Sequence, residues 1–290
     1  MTSALSAWIR SAPHDVRRSL HVVRLAVAIL LLSHPLHAVL HPEDIAALAG
    51  ELAARGVPGS TALAWLATVG VAAGALGLLV RRMIQPAALL LLAILAAGAA
   101  MIYAQHWFVV GGATVDGEPG IEYSLLLGVC LAGILWAEWP RHDAAARDRA
   151  AATGFDIIRI GSAAMLLPHG LYAFVTWDVE GMRAWGEHMS SHGWPCGVAL
   201  VWSIKSLELV SASARLSRRF MVPACIGNLL VIVPGMWIAH KLRWFVLGPG
   251  AEGIEYSVLL TACAVACILA YWPVRSASLG NASVASARTA

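Results

Sequence analysis

Apolar positions along the chain come in long blocks, without the alternation of strands or the narrow stripe of a surface helix. Eight blocks stand out, at about 22–40, 61–80, 84–104, 121–139, 157–176, 196–214, 221–240 and 254–272. Each holds roughly 18–20 mostly apolar residues, the length that crosses a ~30 Å hydrocarbon core as helix. The first block passes through His34, Pro35 and His37 into an acidic loop with no small-residue cleavage site. It therefore reads as a retained span and not as a signal peptide. Between blocks, 43–55 and 180–192 set apolar residues at helical spacing among charges. Both predict amphipathic helices that lie in the membrane interface or cover a site beneath them.

Composition agrees with this pattern and removes alternatives. Of 290 residues, 59% are hydrophobic and 13% charged, and the mean hydropathy is +0.71. A soluble domain holds roughly 45–50% apolar and about 25% charged residues. The excess excludes a soluble enzyme and a disordered chain, and a net charge of +3 is too small for a nucleic-acid binder. Twelve Trp suit anchoring at the lipid interface. The expected class is an all-α, polytopic membrane protein whose partner is the lipid bilayer and not nucleic acid.

Charge orients the spans. Fifteen of the twenty Lys and Arg fall in the N-terminal tail, the 81–82 loop, the 141–159 segment, the 215–219 loop and the C-terminal tail. Only Arg55, Arg183, Lys241 and Arg243 fall on the other side, where eleven of the seventeen acids lie. The positive-inside rule then predicts that both termini are cytoplasmic. The long loops 41–60, 105–120, 177–195 and 241–253 are expected to face the periplasm or exterior.

The chain also resembles itself at a shift of 133–137 residues. Arg24 through His34 matches Arg159 through His169, and Gly56-Val57-Pro58 matches Gly193-Trp194-Pro195. Arg81-Arg82 matches Arg218-Arg219, Trp107-Phe108 matches Trp244-Phe245, and Gly120–Ser124 matches Gly253–Ser257 as GIEYS. Loop motifs of this kind do not recur through chance similarity of apolar helices. Four spans per copy is an even number, so the copies run parallel and not inverted. The predicted architecture is eight transmembrane helices in two parallel-repeat four-helix bundles: repeat 1 at 1–140, a cytoplasmic charged linker at 141–153 and repeat 2 at 154–290.

The four-span unit resembles the DoxX-like family. The residues that carry the resemblance are Arg24 and Arg159 at the entry to the first span, the pairs Trp107-Phe108 and Trp244-Phe245 after the third, and the Gly-Ile-Glu-Tyr entry to the fourth. It covers the chain twice, from about residue 20 to 274. The resemblance implies a four-helix membrane bundle linked to quinone-dependent electron transfer, as in subunits of thiosulfate:quinone oxidoreductase and of terminal quinol oxidase.

Polar residues at membrane depth mark candidate chemistry, because they are costly there unless they face a cavity or each other. Eight of the eleven histidines map to the outer half, with His34, His37 and His41 on one helical face. Neutral imidazoles ligate copper, zinc or haem iron and carry protons. The same histidines are equally consistent with an interfacial role satisfied by water and backbone, and no compact motif assigns a metal ligand. Glu122-Tyr123 and Glu255-Tyr256 begin the fourth span of each copy, where a carboxylate is favoured by the positive helix end and can also serve a quinone site. Arg24 and Arg159 read as cytoplasmic anchors. Cys130, Cys225, Cys263 and Cys267 read as small packing residues, and Cys196 alone is placed for redox exchange.

The second half is the more polar. Lys205 and Glu208 are spaced to pair within the sixth span, where the first half has Thr68 and Val71; Asn228 stands opposite Leu91, and His240 opposite Tyr103. The expected site lies in the outer half of repeat 2, with Lys205, Glu208, His240, Glu255 and Tyr256 as catalytic residues. His169, Tyr172, Trp237 and Trp244 would contact the cofactor, and the first half would serve mainly as scaffold. The leading expectation is a quinone-interacting oxidoreductase, or the membrane subunit of one, taking electrons from a haem, a copper ion or a periplasmic redox partner protein. The competing class is a non-catalytic scaffold or a transporter of a small solute or metal.

Overall fold

The computed structural model describes residues 13–103, 121–176, 178–238, 243–245 and 253–273. Among the described residues it is all-helical, with ten α-helices. In the first half these are α1 (Val16–Leu40), α2 (Pro42–Ala54), α3 (Ser60–Leu79), α4 (Ile84–Gly98) and α5 (Glu122–Glu138). In the second they are α6 (Ala144–Thr176), α7 (Asp178–Ser191), α8 (Gly197–Leu216), α9 (Met221–Ile238) and α10 (Glu255–Tyr271). The succession of long helix, short amphipathic helix and three further helices thus occurs twice. The turn after each amphipathic helix also repeats: Gly56 and Gly193 take φ of 76° and 87°, and Val57 N–H and Trp194 N–H return to Leu52 O and Met189 O. Three residues past each glycine, Gly59 and Cys196 are left-handed at φ 66° and 53°.

Among the described residues, six helices are long and apolar enough to cross a membrane. The two that fall short are α5 and α10, at 17 residues each, about 25 Å at 1.5 Å per residue. Each opens on a glutamate, which ends the apolar stretch at its N-terminal end. The expected eight spans therefore divide into six long ones and two shorter helices. A second difference concerns 141–153: it is no separate linker, since α6 already begins at Ala144 and continues for 33 residues. Asp143 caps that start, its Oδ1 accepting from Ala146 N–H at 2.5 Å.

The long helices do not form two separate four-helix bundles. Each packs on the next to make a closed ring, α1–α3–α4–α5–α6–α8–α9–α10, and α10 returns to α1. Helices α1, α5, α6 and α10 also meet across the middle. Within this central group the partners are exchanged between halves: α1 packs far more extensively on α10 than on its own α5, and α6 far more on α5 than on its own α10. One apolar core runs through both halves, from Val23, Val27 and Leu30 of α1 to Leu259, Leu260 and Cys263 of α10. At the middle, Cys130 of α5 faces its repeat equivalent Cys263 of α10, Sγ to Sγ at 3.7 Å. A residue that meets its own counterpart lies on a local two-fold axis, as at an isologous dimer interface.

The tightest seam of the ring joins α5 to α6. A Cβ on Gly154 would lie 2.3 Å from Gly133 O, and one on Gly133 would lie 2.5 Å from Gly154 O. Neither backbone can yield cheaply. Gly154→Ala is expected to destabilise the protein by about 1–3 kcal/mol, as over-packing does, whereas Gly128→Ala, with nothing within 4 Å of the added methyl, should be neutral or slightly stabilising. Thermal melts of the two variants in one detergent check both outcomes.

Candidate functional site

Two carboxylates are completely buried, Glu122 and Glu255, each in the first turn of its helix. The positive end of a helix favours an anion there, but a carboxylate removed from water also requires a specific partner. Both partners come from the opposite half. His34 Nε2 of α1 lies 3.0 Å from Glu255 Oε1, and His169 Nε2 of α6 lies 2.9 Å from Glu122 Oε2. The two histidines are repeat equivalents, so the pairs are related by the same exchange that places α1 on α10 and α6 on α5. The histidine side chains are 29% and 23% exposed while the carboxylates are 0%. Each pair thus has a sealed acidic end and an accessible imidazole.

Surrounding residues extend the arrangement. Ser33 Oγ donates to Leu30 O at 2.7 Å, lies 3.4 Å from Glu255 Oε1, and accepts from Trp244 Nε1 at 3.0 Å. The buried Tyr256 hydroxyl lies beside Glu122 and 3.4 Å from Met165 O, and its ring is 6.0 Å from that of His169. Tyr123 lies in the equivalent position next to Glu255, and its buried hydroxyl has no hydrogen-bond partner among the described residues. Proline neighbours each histidine, Pro35 after His34 and Pro168 before His169, and removes one ladder donor from α1 and α6 at the level of the site.

These contacts redistribute the expected site. Of the residues expected there, Glu255, Tyr256, His169 and Trp244 lie together in these contacts. Tyr172 is half-buried on α6, three residues beyond His169. Lys205 and Glu208 form the expected ion pair, Nζ to Oε2 at 2.9 Å, with side chains 10% and 13% exposed and Lys205 Nζ 5.5 Å from the Trp185 ring. Glu208 is near enough for its charge to act on Tyr256. Trp237 is 70% exposed on α9 and lines no part of these contacts. His240 lies outside the described residues. The first half is no mere scaffold, because Ser33, His34, Glu122 and Tyr123 make up half the arrangement. Sequence reasoning noted the His34–His169 equivalence and both Glu-Tyr pairs but kept each within its own copy. Arg159, expected as a cytoplasmic anchor, is 2% exposed; it donates to the carbonyls of Arg215 and Leu216 and pairs with Asp156 Oδ1 at 3.0 Å.

The other outer histidines go elsewhere. His37 Nε2 lies 3.2 Å from Asp44 Oδ2, and His41 Nδ1 lies 3.1 Å from Glu43 Oε1. They stack at 4.2 Å, and the Phe245 ring packs 4.3 Å from His37. These contacts tie α2 to the end of α1. The Glu43 carboxyl is held below the ordinary carboxylate range, first by a hydrogen bond to its own backbone N–H and then by His41. Among the described residues, no three of the His, Cys, Asp and Glu side chains converge as a metal-ligand set. The helical face shared by His34, His37 and His41 therefore resolves into three separate carboxylate pairs.

Residues 19–107 match the model of the DoxX family, which supports a DoxX-like family for the chain. The match spans most of the first half, from the first turn of α1 to beyond α4. No curated protein and no solved structure matches the chain.

Removing the histidine of a His–Glu pair takes the imidazole hydrogen bond away from a buried carboxylate. His34→Leu is expected to cost about 1–3 kcal/mol, the penalty of an unsatisfied buried group, and His34→Leu with Glu255→Leu should cost less than the two single changes added together. Glu208→Gln should likewise lower stability by about 1–2 kcal/mol by replacing the charged acceptor of the Lys205 ion pair with a neutral one. A double-mutant cycle read by thermal unfolding checks the first, and the Glu208→Gln melt checks the second. Strict additivity in the cycle would contradict the pairing.

Proposed function

We propose, from the premise of a DoxX-like multi-pass membrane protein, that the chain binds a quinone or quinol head group at the paired His–Glu sites and serves as a quinone-linked oxidoreductase or as its membrane subunit. The observation that carries this reading is the crossed pairing of half-exposed imidazoles with sealed carboxylates. In the neutral His34 ring, a proton on Nε2 facing Glu255 makes Nδ1 the acceptor. A carboxylate behind an imidazole orients the ring and stabilises the imidazolium that forms when Nδ1 takes a proton. The donor set fits a quinol: His34 accepts a hydroxyl proton, and the phenol of Tyr123 supplies a hydrogen bond to oxygen. The unpartnered Tyr123 hydroxyl is the orphaned buried group that such a head group would satisfy.

When bound, the quinone–quinol couple supplies two-electron, two-proton chemistry in the membrane. The protein's part is to receive and pass the protons. His34 and His169 are the exchange points, since the carboxylates behind them have no exposed surface. Low polarity around the pairs strengthens each hydrogen bond. Placed in a bacterial inner membrane with both termini cytoplasmic, this end faces the periplasm, where a soluble redox partner protein would exchange electrons. Lys205 and Glu208 act from α8 as an electrostatic neighbour of Tyr256.

The test is quinone binding by the full chain in nanodiscs, followed by quenching of tryptophan fluorescence with a short-chain ubiquinone or menaquinone analogue. Wild type should show saturable quenching. His34→Gln and Glu255→Gln are each expected to weaken affinity roughly 10–100-fold, the equivalent of one charge-assisted hydrogen bond. Trp237→Phe, on the exposed face of α9, should leave affinity unchanged. Equal affinity in wild type and both site variants would remove the proposal.

A further inference from the structure

At the arginine-rich end, far from the His–Glu pairs, the second half buries a polar cluster that the first half lacks. Arg215, one residue before the end of α8, is fully buried. Around it, equally buried, are Ser162 of α6, Asn228 and Cys225 of α9, and Cys267 of α10. Arg215 Nη2 donates to Ser162 Oγ at 2.5 Å, and Nη1 to Asn228 Oδ1 at 3.4 Å. In the register of the internal repeat these five positions correspond to Leu78, Val27, Leu91, Ala88 and Ile134. Every one of those is buried in the apolar core. The same packing site is therefore hydrocarbon in one half and hydrogen-bonding in the other.

The charges of this cluster do not balance. Arg159 and Arg215 are the two buried guanidiniums. Arg159 is answered by Asp156, which also accepts from the exposed Arg218. Among the described residues no carboxylate pairs with Arg215. Two donors are also unmet, Arg215 Nε and Asn228 Nδ2, on side chains already in contact with each other.

We propose that this cluster is a binding site for one small monovalent inorganic anion of the chloride class, held by the Arg215 guanidinium and the Asn228 amide. A cation removed from water requires counter-charge nearby, and among the described residues no carboxylate supplies it: the neighbour that lies against Arg215 instead is the Cys267 thiol. Both unmet atoms are N–H donors, which is what an anion requires. A water molecule would meet the donors and leave the charge. A phospholipid head group is excluded by size, since neither side chain has exposed surface. Arg215 lies one residue from the end of α8, with Arg218 and Arg219 in the turn that follows. Arg218 holds φ 56° and Phe220 φ 53°, so the backbone next to the cluster is strained.

The experiment uses the full chain in nanodiscs, with chloride titrated against gluconate at constant ionic strength. The Tm should rise along a saturating curve, as for any ligand that binds the folded state. Asn228→Leu, which installs the residue of the first half, should keep the fold and weaken the apparent affinity about tenfold or more, the loss of one charge-assisted hydrogen bond. Bromide provides a readout independent of any variant: crystals grown in bromide should show an anomalous peak between Arg215 and Asn228. A Tm indifferent to chloride, an unchanged affinity in a folded Asn228→Leu, or bromide crystals without that peak would each overturn the site. None of these outcomes depends on quinone binding at the other end.

Discussion

The burial of Glu122 and Glu255 is the constraint around which the helices are arranged. A carboxylate with no exposed surface requires a donor of fixed position, and each finds it on the first helix of the other half: His34 for Glu255, His169 for Glu122. That requirement is met only if α10 packs on α1 and α5 on α6, which is how the ring closes. The close Gly133–Gly154 approach and the Cys130–Cys263 contact on the local axis are consequences of the same pairing. Stability and site geometry are one problem in this molecule. Any change that separates the halves also strips both acids of their partners.

What was legible in the sequence follows from the range of each interaction. Helix location depends on local apolar runs, so the ends of α1, α3, α8 and α10 fall within a few residues of the blocks read from the sequence, apart from the earlier start of α1. The amphipathic helices α2 and α7 were legible for the same reason. The Lys205–Glu208 pair was legible because an i,i+3 spacing is itself a geometric statement. The His–Glu pairs were not, because their members are separated by 221 and 47 residues and nothing local specifies which helix a carboxylate will meet. The signal that was available lay in the repeat. Two copies that each contain one His and one buried Glu can pair within a copy or across copies, and only helix packing distinguishes the two.

The helical face of His34, His37 and His41 shows the converse error, in which a local pattern suggests a convergence that packing dissolves. His34 and His37 lie on α1 and His41 just past its end, and the residues opposite them differ: a buried glutamate from α10 for His34, and two acids in the first turn of α2 for His37 and His41. The side chains that approach a helical face decide its chemistry. Arg159 illustrates the same point. Read alone it is a basic residue at a span entry; against α8 it becomes a buried cap on the carbonyls of Arg215 and Leu216.

Joining two equivalent units in one chain removes a restriction that a symmetric dimer would face. In an isologous pair of identical subunits every substitution appears twice, once on each side of the axis. On the axis itself, at Cys130 and Cys263, two copies of a bulky or charged group would confront each other. Away from it, a costly polar group would be buried twice. With the halves in one polypeptide, Arg215, Asn228 and the Lys205–Glu208 pair are each present once, opposite Leu78, Leu91 and the Thr68–Val71 positions. The apolar half then contributes core packing while the polar half departs from it. The crossed His–Glu pairs remain symmetric because each half depends on the other for them, and the polar additions are asymmetric because no partner across the axis is required to match them.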